Sequence, residues 1–346
     1  MHGQSVKKGV ILAAGAGTWL SPATLPVSKI LLPVYDRPMI YYPLSTLISA
    51  GIYDILVIIS ESDRKNFERT LGDGSRFGVR ISYEIQHERR GIADALVVGE
   101  KFIGGDPCVL ILGDNVFHGE DMKRLMEEAG RDTENTSVFI HWVPDPRRFG
   151  VAEFDDEGRV ISLEEKPKKP KSDYAVVGLY FLPGDATEKA KTLKPSARGE
   201  VEITDLNLLY LEEGRLRAKM MSENTKWIDA GTFDSLLESS TYVRDTEKKS
   251  GQKILCPEVE ALKKGLISKE SVKEWVASNK DNTYYRGITA FMDKKRSQPP
   301  LLPFPRVCGA YAMVKGPPGL PSQDSLGLRV VGDENCRVAR APVLGL

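Results

Sequence analysis

Apolar positions along this chain fall into two alternating patterns. Compact β-branched runs at residues 9–13, 54–60, 79–85 and 108–112 read as strands. Between them, residues 38–50, 63–71, 92–102 and 121–129 carry the three-to-four-residue spacing of helices. Strands and helices alternating at this interval predict an α/β fold, Rossmann-like, with a central sheet of largely parallel order flanked by helices. Ligands of such sheets bind beyond the carboxyl ends of the strands. The glycine loop after the first strand and Gly113-Asp114 after a later one are therefore expected to converge on one crevice.

The rhythm changes after Ser137. Residues 151–154 and 160–163 flank the acidic, glycine-ended turn Asp155-Asp156-Glu157-Gly158, which is the signature of a hairpin. A strand at 174–182 and a helix at 202–211 follow, so the sheet becomes mixed through an antiparallel insertion, about 137–215, placed to lie over a substrate. Residues 232–246 read as a long helix. Residues 251–280 read as small helices, with Cys256-Pro257 opening one and Ser268 the next. The expected organisation is a main domain over 8–245, a C-terminal helical appendage over 246–295, and a tail over 296–346. Eight prolines between Pro299 and Pro342, with frequent glycine, make that tail irregular.

Composition narrows the partners. Of 346 residues, 48 are Lys or Arg and 48 are Asp or Glu, so the net charge is zero and nucleic acid is not an expected ligand. The basic run at Lys166–Lys171 reads as a solvated loop. The four cysteines are far apart and form no metal-binding pair. No apolar run approaches membrane-spanning length and no apolar leader precedes the first strand, so the expected location is the cytoplasm, away from membranes.

Candidate chemistry begins at the first strand's end. Glycines there let backbone N–H groups approach a phosphate, and Lys29 supplies a positive charge nearby. Leu12, Ala14, Gly15, Gly17 and Thr18 form this loop. It lacks the third glycine of a dinucleotide fingerprint, and the chain contains no P-loop, so a dehydrogenase reading rests on the loop alone. Asp114 closes the apolar strand CVLILGD, and Asp229 stands in WIDAGT. Each carboxylate could cap a following helix. Beside a phosphate loop, the pair reads instead as ligands of Mg²⁺. Glu165 and Lys166 end a hairpin strand, either as an exposed charge pair or as ligands for a sugar and its phosphate.

These segments, with LGDGSRFG (71–78), LGDN (112–115), SLEEKP (162–167), YAVVGLYF (174–181), KPSARGEVEITD (194–205) and WIDAGTFDSLLE (227–238), resemble the sugar-1-phosphate nucleotidyltransferases over about residues 8–280. The resemblance implies that a hexose phosphate oxygen attacks the α-phosphorus of dTTP or UTP. Glucose 1-phosphate would then yield dTDP-glucose or UDP-glucose, with pyrophosphate leaving. It implies Lys29, Asp114 and Asp229 as the catalytic set, the two aspartates holding Mg²⁺. Gln86 and Gly91 become the base-recognising pair, and Gly150, Glu165, Lys166, Val176 and Arg198 the sugar-phosphate ligands. It also implies a homotetramer. A phosphate monoester is largely dianionic near neutral pH, its second pKa being about 6, so no general base is required. The scattered His2, His87, His118 and His141 accordingly read as surface or packing residues.

Two positions depart from the family pattern. Trp19 stands where the family places an arginine, and Ile30 where it places a glutamine after the lysine. A positioned arginine contributes on the order of 10³–10⁵ in phosphoryl-transfer rate, whereas an indole offers one neutral donor. The departure predicts either that Arg37, Arg89 or Arg90 supplies the missing charge, or that the chain is a catalytically impaired nucleotide-sugar-binding or regulatory relative.

Overall fold

The computed structural model describes residues 5–293, apart from Ala16, Ser278, Lys280 and Asp281. The expected irregular tail lies outside the described residues. A nine-stranded mixed sheet forms the centre. Its parallel part sets Lys8–Leu12 between Asp54–Ile59 and Cys108–Leu112, with Arg80–Ile85 at one edge. Tyr174–Leu182 then pairs antiparallel with Cys108–Leu112 and extends the sheet through the hairpin Gly150–Phe154 and Val160–Glu165. The same long strand pairs with Thr136–Trp142, which in turn carries Leu216–Met220 in parallel register.

Alternate strand residues face opposite sides of a sheet, and two buried clusters cover those sides. Val10, Leu56, Ile58 and Leu110 pack on one side with Leu96, Ile103, Leu206 and Tyr210. Ile11, Ile55, Val57 and Ile111 pack on the other with Leu44, Leu47 and Phe117. The helix Tyr41–Ser49 lies within this second layer, and Tyr41 meets Phe77 edge-on at 5.5 Å and Tyr284 at 6.3 Å. Helices Pro257–Lys264 and Thr283–Asp293 are thereby tied to the sheet's own layer.

One expected helix, 92–102, is broken. Asp94–Val98 and Glu100–Ile103 meet at Gly99, where an added Cβ would come within 3.0 Å of Leu56 and 3.1 Å of the Ala95 carbonyl. Close approach to the sheet selects glycine there, and glycine weakens helix continuity.

Candidate active site

The crevice forms where Lys8–Leu12 and Cys108–Leu112 end side by side. Gly113 N–H donates to the Leu12 carbonyl at 3.0 Å, and a side chain on Gly113 would press on that oxygen and on Ile30. The two chain segments therefore leave the sheet pinched together, which sets Asp114 beside Lys29. Ser28 starts the turn Lys29–Leu31, its Oγ accepting from Ile30 N–H at 3.4 Å, and Ser28 N–H is itself held by Asp63 at 2.9 Å.

Asp229 arrives from far along the chain. Lys226–Asp229 pairs antiparallel with Asn115–His118, placing Asp229 opposite Asn115, and Ala230 N–H donates to the Asp114 carbonyl at 2.9 Å. Neither aspartate caps a helix. A strand follows Asp114, and the helix Phe233–Ser250 is capped by Thr232 in a reciprocal box with Ser235. The capping alternative is thus set aside by geometry.

Electrostatics in this corner is unbalanced. Lys29 Nζ donates to Asp114 Oδ2. Burial pulls the ammonium pKa down, yet Asp114 and then Asp229 outweigh it, so the net shift is upward. Burial pushes the Asp114 carboxyl up, but Lys29 and the Asn115 amide, which donates at 3.0 Å, hold it below the usual range. Asp229 has weaker support: Arg148 stands 3.8 Å away. Burial first, and the neighbouring Asp114 second, push Asp229 up to about 6. With Lys29 bonded to Asp114 and only the half-exposed Arg148 near Asp229, the two carboxylates are incompletely compensated, and a divalent cation would supply the remaining positive charge. Their hard oxygen donors, few in number, suit a cation that keeps waters and phosphate oxygens as its remaining ligands. Among the described residues, no cluster of three or more His, Cys, Asp or Glu side chains could cage a metal alone.

The crevice has three adjoining compartments, and Asp114 and Lys166 line all of them. The first, ≈ 380 Å³, takes its walls from Leu12, Ala14, Gly15, Lys29, Gln86 and Gly91. The second, ≈ 140 Å³, is bounded by Gly150, Glu165, Val176, Thr204, Trp227 and Asp229. An outer compartment of ≈ 480 Å³ is flanked by Trp19, Arg147, Arg148 and Arg198. Gly17 and Thr18 line none of the three. Gly17, at φ 61°, starts the turn Thr18–Leu20, and Thr18 is exposed.

In the second compartment the polar groups are fixed. Glu165 Oε2 accepts from Thr204 Oγ1 at 2.5 Å, and Arg198 donates to Oε1 at 3.3 Å. Its side chain is only 18% exposed, which removes the surface-pair reading. A side chain at Gly150 would come within 3.0 Å of the Thr204 hydroxyl, so glycine keeps the floor open. Lys166 adopts φ 45°, with its N–H bonded to the Phe149 carbonyl at 3.0 Å. A left-handed lysine costs about 1–3 kcal/mol and persists where surrounding contacts over-determine it, often at functional sites.

Trp19 is 79% exposed at the outer edge of the crevice. Of the arginines expected to replace the family's missing one, Arg37 is excluded: it is buried and committed to Asp36, Glu247 and the Ile254 carbonyl. Arg89 does line the first compartment, and Arg90 lies 3.9 Å from Asp94. Ile30 lines the same compartment as an apolar wall. His118 sits 2.7 Å from the Tyr242 hydroxyl, His141 packs on Trp227, and His87 is exposed; none lines the crevice, and His2 lies outside the described residues.

Sequence reasoning missed Asn115, Arg148, Thr204 and Trp227. Asn115 Oδ1 accepts from Trp227 Nε1 at 2.7 Å and from Gly178 N–H at 3.2 Å, locking the wall of the second compartment. Asn115, Thr204 and Trp227 stood in segments already singled out, but their orientation depends on pairings between distant strands. Arg147-Arg148 in a loop carried no distinguishing signal.

Lysine and carboxylates meet at the strand ends beside a glycine loop, and among the described residues no histidine lines the crevice. The chain belongs to the nucleotidyl transferase family, whose model matches residues 8–246. It is 47% identical to the glucose-1-phosphate thymidylyltransferase of Neisseria meningitidis serogroup A over 287 residues, covering 83% of this chain and all of the relative. A crystal structure of a Bacillus anthracis protein, assigned as a glucose-1-phosphate thymidylyltransferase and complexed with sucrose, is 43% identical. It superposes with a TM-score of 0.65 and covers 69% of this chain and 96% of that one. A UDP-glucose pyrophosphorylase complexed with UDP-glucose is 27% identical, with a TM-score of 0.60, covering 70% and 99%. Members of this family work with a divalent metal, and no helix among the described residues is long and apolar enough to cross a membrane.

Proposed function

We propose that the chain transfers a thymidylyl group from dTTP to glucose 1-phosphate, giving dTDP-glucose and pyrophosphate, with Mg²⁺ bound through Asp114 and Asp229. The observation that carries this reading is that Asp114 and Lys166 face all three compartments, so one acceptor and one donor can meet at them. The base and ribose occupy the first compartment, against Gln86, Gly91 and Leu12. The hexose occupies the second, where Glu165 accepts hydroxyl hydrogens and Lys166 and Arg198 meet its phosphate. The triphosphate runs past Ala14 and Gly15 into the outer compartment.

A phosphate oxygen of the sugar forms the new bond to the α-phosphorus, and the bond to the β-phosphate oxygen breaks in line. Bound Mg²⁺ would neutralise phosphate charge and orient the α-phosphate. Lys29 adds a fixed positive charge, and its rise in pKa keeps it protonated throughout. No side chain needs to remove a proton, consistent with the lack of a histidine at the crevice among the described residues. Rate then comes from alignment and preorganised charge. The impaired-relative reading is not favoured: relatives matched over their length are named as catalysts, and Arg147, Arg148 and Arg198 border the compartment to which Trp19 adds no charge.

The test is a panel of dTTP, UTP, CTP and ATP against several hexose 1-phosphates, with Mg²⁺ or with EDTA, read by pyrophosphate release. Metal-dependent product is expected from dTTP with glucose 1-phosphate. Binding of the product nucleotide sugar without pyrophosphate from any pair would overturn the proposal.

A further inference from the structure

Gln86 follows the strand Arg80–Ile85 and is buried apart from its edge on the first compartment. Its backbone N–H donates to the Ile59 carbonyl at 3.0 Å, which fixes the residue at the strand end. Its carboxamide is fixed as well. Nε2 donates to Asp94 Oδ2 at 2.9 Å and, at 3.4 Å, to the Gly91 carbonyl. Both acceptors can only accept, so the amino group has one orientation. Asp94 is buried, and Arg90 at 3.9 Å stands on its other oxygen. Among the described residues Gln86 Oε1 has no partner, and neither has the Gly91 N–H, although both residues line the compartment. Gly91 is held at φ 111°, and a side chain there would collide with the Val201 backbone. An outward acceptor and an outward donor therefore sit together on a rigid frame.

We propose that Asp94 is a positioning residue for base choice: it turns the Gln86 carboxamide so that the oxygen, never the amino group, meets the nucleobase. The inference deepens the proposed function and rests on it for the nucleotide's place in the first compartment. With ring position 3 at Gln86 Oε1 and position 4 at the Gly91 N–H, thymine and uracil offer N3–H and O4, a donor and an acceptor. Cytosine presents a lone pair and an amino group at those same positions, so acceptor meets acceptor and donor meets donor. Sliding cytosine by one ring atom in either direction restores at most one of the two bonds and would carry its α-phosphate away from Lys29. A site built to pair a specific edge rejects the mismatched one strongly, because its own polar groups are left unpaired.

The experiment compares kcat/KM for dTTP and dCTP in the parent and in Asp94→Asn. An asparagine can donate to Gln86 Oε1, which lets the carboxamide turn over and show its amino group to the base. The dTTP preference is expected to fall by at least about tenfold, with the KM for glucose 1-phosphate unchanged, whereas a purely structural role would lower both substrates alike. A second measurement needs no variant: calorimetry of the parent with dTTP and with its N3-methyl analogue, which lacks the donor. Binding weaker by about tenfold or more is expected for the analogue. Equal binding, or an unchanged base preference in a folded Asp94→Asn, would overturn the assignment. Product with unaltered preference counts against Asp94 alone, while absence of product from every triphosphate counts against the proposed function and leaves the calorimetric comparison to decide this one.

Discussion

Two charge clusters in this molecule use the same residue types to opposite ends. In one, Arg37 donates to Asp36, Glu247 and the Ile254 carbonyl, while Lys253 donates to Asp36 and Glu247. Two cations and two anions close on one another, their side chains 1–11% exposed, between the rings of Tyr42 and Tyr284. In the other, Lys29 bonds Asp114, Asp229 has only the half-exposed Arg148 at 3.8 Å, and a crevice lies in front. The first cluster is complete, so it fastens the long helix Phe233–Ser250 and the segment after it to the loop before Tyr41–Ser49. The second is only loosely compensated, and that looseness is what a bound cation can answer. Buried charge by itself says little about function; the unfilled partner says more.

Removing one member of the closed cluster has the largest expected effect. Arg37→Met leaves Glu247 and Asp36 short of a partner and should cost about 3–5 kcal/mol of stability, read by denaturant unfolding, with kcat of the folded protein near the parent's. A variant that stays stable but loses turnover would break the comparison. In the open cluster the expectation reverses. Lys29→Met should lower kcat by about 10²–10³ in the pyrophosphate assay, with a smaller drop in unfolding midpoint than Arg37→Met.

A smaller effect separates the clusters by pH. Asp229, at about 6 in the folded chain against an ordinary 3.8, holds its proton where the unfolded chain has released it. Between those values the folded state binds more protons, so metal-free stability should fall as pH rises from 4 toward 6 and level off above. Thermal melts in EDTA should show this slope in the parent and a flatter one in Asp229→Asn. A slope shared equally by both would show that other groups set it. The smallest effect is expected from Trp19→Arg. With three arginines already bordering that compartment, kcat/KM should rise less than the 10³-fold or so that an arginine supplies to a site lacking one. A gain of that full size would show that the outer compartment is short of charge after all.

The sequence exposed the scaffold well where burial enforces continuous apolar runs: the strands at 8–12, 54–59 and 108–112 were all legible. Glycine-lined and carboxylate-bearing strand ends were legible for the same reason, since polar residues stand out against such runs. Pairing between Asn115–His118 and Lys226–Asp229 was not, because short strands far apart carry no mutual register in their own residues. Orientation was hidden too. Whether Gln86 shows its oxygen or its nitrogen depends on Asp94, and whether Glu165 is exposed depends on Thr204 from another element. Trp19 was legible as a departure, but its surroundings were not: nothing in the sequence placed Arg147, Arg148 and Arg198 around the same outer compartment.

The ribbon joining Asn115–His118 to Lys226–Asp229 also sets the order in which competence can emerge during synthesis. A nascent chain that has released its first hundred and fifty residues carries the glycine loop, Lys29 and Asp114, but not the strand Tyr174–Leu182 that pairs with Cys108–Leu112. It still lacks the second carboxylate, so turnover must wait until Asp229 has left the ribosome and zipped against its distant partner. On the proposed roles, a chain cut short before Asp229 should yield no product.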